Sequence, residues 1–150
     1  MFKGNHSMNK GYKIIEHMAD VGLRAFGETK ERLFENAARG MFFIITGSSG
    51  FARQGNEQYW TIKCEGANLG ELLVEWLSEL LYIHSTDFVI LNDFIIKSMT
   101  SNHLQAQSGG LKINKSSYHI EKEIKAVTYH HLQVMKNEKG YWEAIIIFDI

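Results

Sequence analysis

The 150 residues carry 16 Lys and Arg against 17 Asp and Glu, with 45% hydrophobic and 22% charged residues. That length suits one domain burying about two-thirds of the surface its unfolded chain exposes. The net charge of −1, without a basic run, excludes a stand-alone grip on a phosphate backbone. Cys64, the single cysteine, excludes an intrachain disulfide and a cysteine-based zinc site. No apolar stretch approaches the roughly twenty residues of a membrane span, and no secretory leader is legible; a cytoplasmic protein is expected.

Residues 1–9 are polar, include a second Met at position 8, and are expected to be a disordered extension ahead of one domain over residues 10–150. Lys10–Glu16 reads as a strand. Val21, Leu23 and Ala25 alternate with Gly22 and Arg24, a period of two that predicts a second strand with Asp20 at its entry. Thr29 is placed to cap a helix from Lys30 to about Ile45, whose apolar stripe is Leu33, Phe34, Ala37, Ala38, Met41 and Phe42. A Gly47-Ser48-Ser49-Gly50 connector leads to a strand over Tyr59–Cys64, in which Cys64 is a small buried hydrophobe.

Asn68 and Glu71 form a capping pair for a second helix with an inner face of Leu69, Leu72, Leu73, Trp76, Leu77, Leu80 and Leu81. Glu71, Glu75 and Glu79 recur every fourth residue on its outer face, read as a solvated surface. Beyond Ile83 the candidates are all strands: Phe88–Lys97, Leu104–Asn114, Glu121–Tyr129, Leu132–Asn137 and Tyr141–Ile150. Gly109-Gly110 suggests a bulge, Asn137-Glu138-Lys139-Gly140 a hairpin turn, and His130-His131 falls between two strands. The absence of Pro fits long strands. The class is α+β, two amphipathic helices packed on a largely antiparallel or mixed β-sheet in one compact domain.

Chemistry is sparse. There is no Walker loop, no G-x-G-x-x-G after a strand and no G-x-S-x-G elbow. Adjacent residues of a strand point to opposite faces, which argues against His130 and His131 sharing a metal ion. Only four of the 17 acids are Asp. Asp149 sits on the apolar last strand beside the main-chain carboxylate of Ile150, and with Asp20 these make three anionic groups on two strands. If the fold brings them together they repel unless a cation lies between them. An all-oxygen set favours Ca²⁺, Mg²⁺ or Mn²⁺. The bland alternative has Asp149 pointing to water, or neutralised by Lys125.

His17-Met18-Ala19-Asp20-Val21-Gly22 resembles the His-Thr-Ala-Asp-(Val/Ile)-Gly segment of archease proteins. Leu33-Phe34-Glu35-Asn36-Ala37-Ala38-Arg39-Gly40-Met41 is similar to their first helix, and Leu69–Tyr82 to their second. Glu123–His130 and the terminal Phe148-Asp149-Ile150 complete a resemblance running from about Tyr12 to Ile150. It implies an accessory role, not an enzyme. The expected partner is the GTP-dependent RNA-splicing ligase, which joins 2′,3′-cyclic or 3′-phosphate ends to 5′-hydroxyl ends in tRNA splicing. The accessory protein promotes guanylylation and multiple turnover of that ligase.

The same resemblance implies a divalent-metal site, calcium first, on Asp20, Asp149 and Ile150. His17 would stand near it, and Lys125 would be the residue acting on the partner. Met18 replaces the usual Thr, and Gly47 falls where relatives often carry Asp; both departures thin out the expected ligand sphere. The other classes weighed are a small metal-dependent phosphoester hydrolase and a general chaperone-like binding module.

Overall fold

The computed structural model describes residues 10–16, 19–48, 58–114, 116 and 118–150. Among the described residues seven strands and two helices follow one another as β1 (Tyr12–Glu16), β2 (Asp20–Gly27), α1 (Lys30–Thr46), β3 (Gln58–Glu65), α2 (Leu69–Asp87), β4 (Val89–Met99), β5 (His103–Lys112), β6 (Ala126–Lys136) and β7 (Trp142–Asp149). The strands form two sheets, ordered β1-β2-β7-β6 and β3-β5-β4, with every neighbouring pair antiparallel. The α+β class holds, and the helices are the apolar layer that both sheets share. The expected extension, residues 1–9, lies outside the described residues. No helix among the described residues is long and apolar enough to cross a membrane.

Period decides which side chains go inside. In β2, Val21, Leu23 and Ala25 are fully buried, and register sets them against Phe148, Ile146 and Ala144 of β7. The predicted stripe of α1 is buried throughout, together with Ile44 and Ile45. Gly40 completes that face: a Cβ there would come within 2.6 Å of a Leu23 methyl, so a bare backbone lets α1 approach the sheet. Thr29 caps α1 by accepting a 3.0 Å bond from the Arg32 N–H. Gly47 ends the helix in the left-handed region (φ 72°), its N–H bonding to the Phe43 carbonyl at 2.7 Å.

The α2 inner face is buried with Val74 and Ile83 added and Leu69 only half-buried. Trp76 ties the helices together, its indole Nε1–H donating to the Phe34 carbonyl of α1 at 2.9 Å. Asn68 caps α2 through the Glu71 N–H at 2.9 Å, but Glu71 Oε1 accepts from Ala67 at 3.2 Å rather than from Asn68, one residue upstream of the reciprocal capping box.

Three sequence expectations change. Glu121–Tyr129 and Leu132–Asn137 are not two strands. β6 runs unbroken from Ala126 to Lys136 and contains His130 and His131, with a register shift against β7 between Thr128 and Gln133 and with His131 at φ 52°. Residues 121–125 are irregular because they serve α1: the Glu121 and Lys122 amides donate to the Ile45 carbonyl at 2.8 and 3.3 Å, and Lys122 pairs with Glu16 at 3.3 Å. The bulge expected at Gly109-Gly110 lies opposite them, in β4, where Leu91 pairs with Gly110 and Asp93 with Gly109, leaving Asn92 without a partner in the ladder. The glycines answer it. A Cβ on Gly110 would stand 2.2 Å from the Ile90 carbonyl oxygen, and one on Gly109 2.5 Å from the Tyr59 ring. The predicted hairpin turn is present, with the Asn137 N–H bonded to the Tyr141 carbonyl at 2.7 Å and Gly140 at φ 89°.

Candidate metal centre

β2 begins at Asp20 and β7 finishes at Asp149, and their antiparallel register sets these two residues opposite each other. Opposed residues project from the same side of a sheet, with Cβ atoms about 5 Å apart. Because Val21 and Phe148 are fully buried, Asp20 and Asp149 must occupy the other, outer face. The sequence placed Asp20 at a strand entry; only the register pairs it with an acid over a hundred residues away.

Asp20 is half-buried and Asp149 is exposed. Oδ1 of Asp20 is inaccessible to water and has no hydrogen-bond partner among the described residues. A buried carboxylate oxygen without a donor is costly, and a second carboxylate opposite raises the cost. A cation between them removes both penalties. Two hard oxygen donors fit Ca²⁺, Mg²⁺ or Mn²⁺ rather than a soft metal. Among the described residues no group of three or more His, Cys, Asp or Glu side chains converges on a point that could hold a metal. A complete coordination sphere therefore needs main-chain or terminal oxygens and water beside the two aspartates.

Ile150 follows Asp149 directly and is half-buried against the core. Lys125 sits on the other flank of β7. Its backbone N–H donates to the Asp149 carbonyl at 2.8 Å, just before the Ala126–Asp149 pairing begins. Its side chain is exposed, and among the described residues no ion pair joins it to Asp149, so the salt-bridge alternative is not what the structure shows. His17 and Met18 lie outside the described residues. Gly47 is accounted for by its left-handed helix cap, a conformation in which a side chain is strained. His130 and His131 are both exposed on β6. Cys64 is buried on β3 facing α2; burial pushes its thiol up to about 12, with Glu79 and Glu75 adding to the shift, so it is no thiolate ligand at neutral pH.

Fold and site together define a small α+β protein whose distinctive chemistry is a carboxylate pair on the outer face of an antiparallel sheet. The model of the Archease protein family matches residues 12–150. The chain is 35% identical over 148 residues to the protein archease of Methanosarcina barkeri, covering 96% of this chain and 99% of the relative. Against the protein archease of Pyrococcus abyssi the identity is 31% over 144 residues, covering 94% and 99%. The solution structure of protein 1598 from Methanobacterium thermoautotrophicum superposes with a TM-score of 0.74 at 33% identity, covering 94% of this chain and 99% of that one. A crystal structure from Thermotoga maritima, described as an archease and possible chaperone, has the same fold, with a TM-score of 0.61 at 21% identity. The protein belongs to the archease family.

Proposed function

We propose that the protein is a non-catalytic, cytoplasmic accessory factor of the GTP-dependent RNA-splicing ligase. In this reading it promotes guanylylation of that ligase and its repeated turnover in tRNA splicing. Asp20 and Asp149 would hold a divalent cation, Ca²⁺ in the first instance, with the terminal carboxylate of Ile150 as third donor. Lys125, held beside Asp149 by its backbone bond, would extend its ammonium to the partner. Bound there, the cation supplies positive charge that the partner's nucleotide site can use; the chain's own residues position it and leave it open to the outside. The observation that carries the reading is the unpartnered, buried Oδ1 of Asp20 opposite Asp149.

Calcium titration calorimetry on wild type, Asp20→Ala and a variant lacking Ile150, paired with multiple-turnover ligation, tests it. Saturable binding and ligase stimulation in wild type, both lost in the folded variants, are the expected result. Full stimulation by a folded Asp20→Ala protein would refute the mechanism. Hydrolysis of a phosphoester by the isolated protein would instead establish the hydrolase alternative.

A further inference from the structure

The β4 bulge opens a second place where chemistry is concentrated. A cavity of about 340 Å³ lies between the C-terminal half of α1, β1 and β4. It shares no residue with Asp20, Lys125, Asp149 or Ile150. Its walls combine aromatic and aliphatic side chains with polar ones. Tyr12 and Phe43 rings stand 5.9 Å apart and Phe42 and Phe94 rings 5.8 Å apart, with Ile90 and Leu91 behind them.

Several of the polar groups that line it have unused hydrogen-bonding capacity. Oδ1 of Asn92, the bulged residue, is buried and has no hydrogen-bond partner among the described residues. Arg39 reaches in from α1. One of its five N–H groups is spent on Asn36 Oδ1 at 3.0 Å, and no carboxylate of the described residues lies within ion-pair range. Burial lowers the proton affinity of this guanidinium and Arg32 adds to that shift, while the Glu35 and Asp93 carboxylates, close enough to act on it but outside ion-pair range, oppose it. The Tyr12 phenol, raised above its usual range by burial and opposed by Arg39, stays a neutral O–H donor. No described residue hydrogen-bonds that hydroxyl. The Lys10 ammonium stands over the Phe43 ring at 5.4 Å, at the rim.

We propose that this cavity binds a small flat anion that also carries an N–H donor. Its anionic group would meet Arg39 and the Tyr12 hydroxyl, its unsaturated body the half-buried Phe43 ring, and its donor Asn92 Oδ1. The volume falls within the range of small-molecule sites, about 300–1,000 Å³, and the lining is rich in polar groups that could fix a ligand's orientation. An unpaired buried acceptor selects for a donor, because an analogue lacking one leaves that acceptor unsatisfied. This inference is independent of the ligase reading, since the two sites have no residue in common.

Meta-aminobenzoate is the probe, with benzoate lacking the donor and meta-aminobenzamide lacking the anion, each titrated into ¹⁵N-labelled protein. The expected result is saturable shifts of the Tyr12, Arg39, Phe43 and Asn92 amides by meta-aminobenzoate, with each analogue weaker by about tenfold, the weight of one good hydrogen bond to a charged or buried group. Arg39→Gln and Tyr12→Phe should weaken meta-aminobenzoate and benzoate alike. Asn92→Ala should erase the difference between those two ligands. Absence of saturable shifts with all three compounds would overturn the proposal. So would equal affinity for meta-aminobenzoate and benzoate in wild type, or unchanged binding in a folded Arg39→Gln protein.

Discussion

Asp20 and Asp149 face each other across the β2–β7 ladder, and one oxygen of Asp20 is buried with no donor to satisfy it. Without a cation this pairing works against folding; a cation bound there, as proposed, would reverse that. Asp20→Asn should therefore leave the metal-free protein as stable as wild type or up to about 1 kcal/mol more so, because repulsion and an unsolvated charge are both removed. Calcium at about a hundred times its Kd should add about 2.7 kcal/mol to wild type and nothing to the variant. Thermal melts with calcium and with chelator check both halves. An Asp20→Asn protein that keeps a calcium-dependent shift would remove Asp20 from the site.

Gly110, inside β5, and Gly140, in the turn between β6 and β7, differ in what surrounds them. Gly110 faces the Ile90 carbonyl across the bulge, where an added Cβ would sit 2.2 Å from the oxygen. Gly140 has φ 89° but nothing within 4 Å. Gly110→Ala should cost about 3 kcal/mol, since backbone must move. Gly140→Ala should cost only the left-handed strain of about 1 kcal/mol. Equal costs in urea denaturation would mean that the bulge relaxes freely.

Trp76 is fully buried, and its indole N–H satisfies the Phe34 carbonyl inside α1. Trp76→Phe removes the donor and part of the volume, leaving an unsatisfied acceptor and a void. A loss of about 3 kcal/mol is expected. The calorimetric Tm should fall while the calcium affinity of the folded protein stays unchanged, because the indole is on the core side of the sheet and the aspartates are on the other.

Cys64 titrates in the folded state at about 12, pushed up first by burial and then by Glu79 and Glu75. Its thiol ionises earlier in the unfolded chain than in the folded one. Its contribution to stability is therefore intact below the ordinary thiol range and is lost progressively as pH rises from that range toward about 12. Cys64→Ala should flatten that alkaline decline. In native wild type the thiol should resist iodoacetamide at neutral pH and react only with unfolding; rapid native alkylation would contradict its burial.

Local pattern carried most of the fold. Alternation at Val21, Leu23 and Ala25, the 3.6-residue stripe from Leu33 to Phe42 and the caps at Thr29 and Asn68 were all readable, because each depends on residues within one turn or one strand. The broken reading of β6 shows where such logic ends. His130-His131 interrupts the alternation, and only pairing with β7 carries the strand past it as an irregularity. Nor does spacing mark Glu121 and Lys122 as a tether for α1, since their amides are bonded to the Ile45 carbonyl far back in the chain.

The sequence by itself determined which residues are apolar, where the helices start, and that Asp20 and Asp149 lie on strands, while α2 runs on to Asp87, past Ile83 where the pattern had only strands. Tertiary structure alone decided that those two acids share one face, that Asn92 is the bulged residue, and that Arg39 and Tyr12 meet beside it. The reason is physical. Helix and strand periods are set by backbone geometry within a few residues, whereas register between distant strands is fixed by which faces must be buried together.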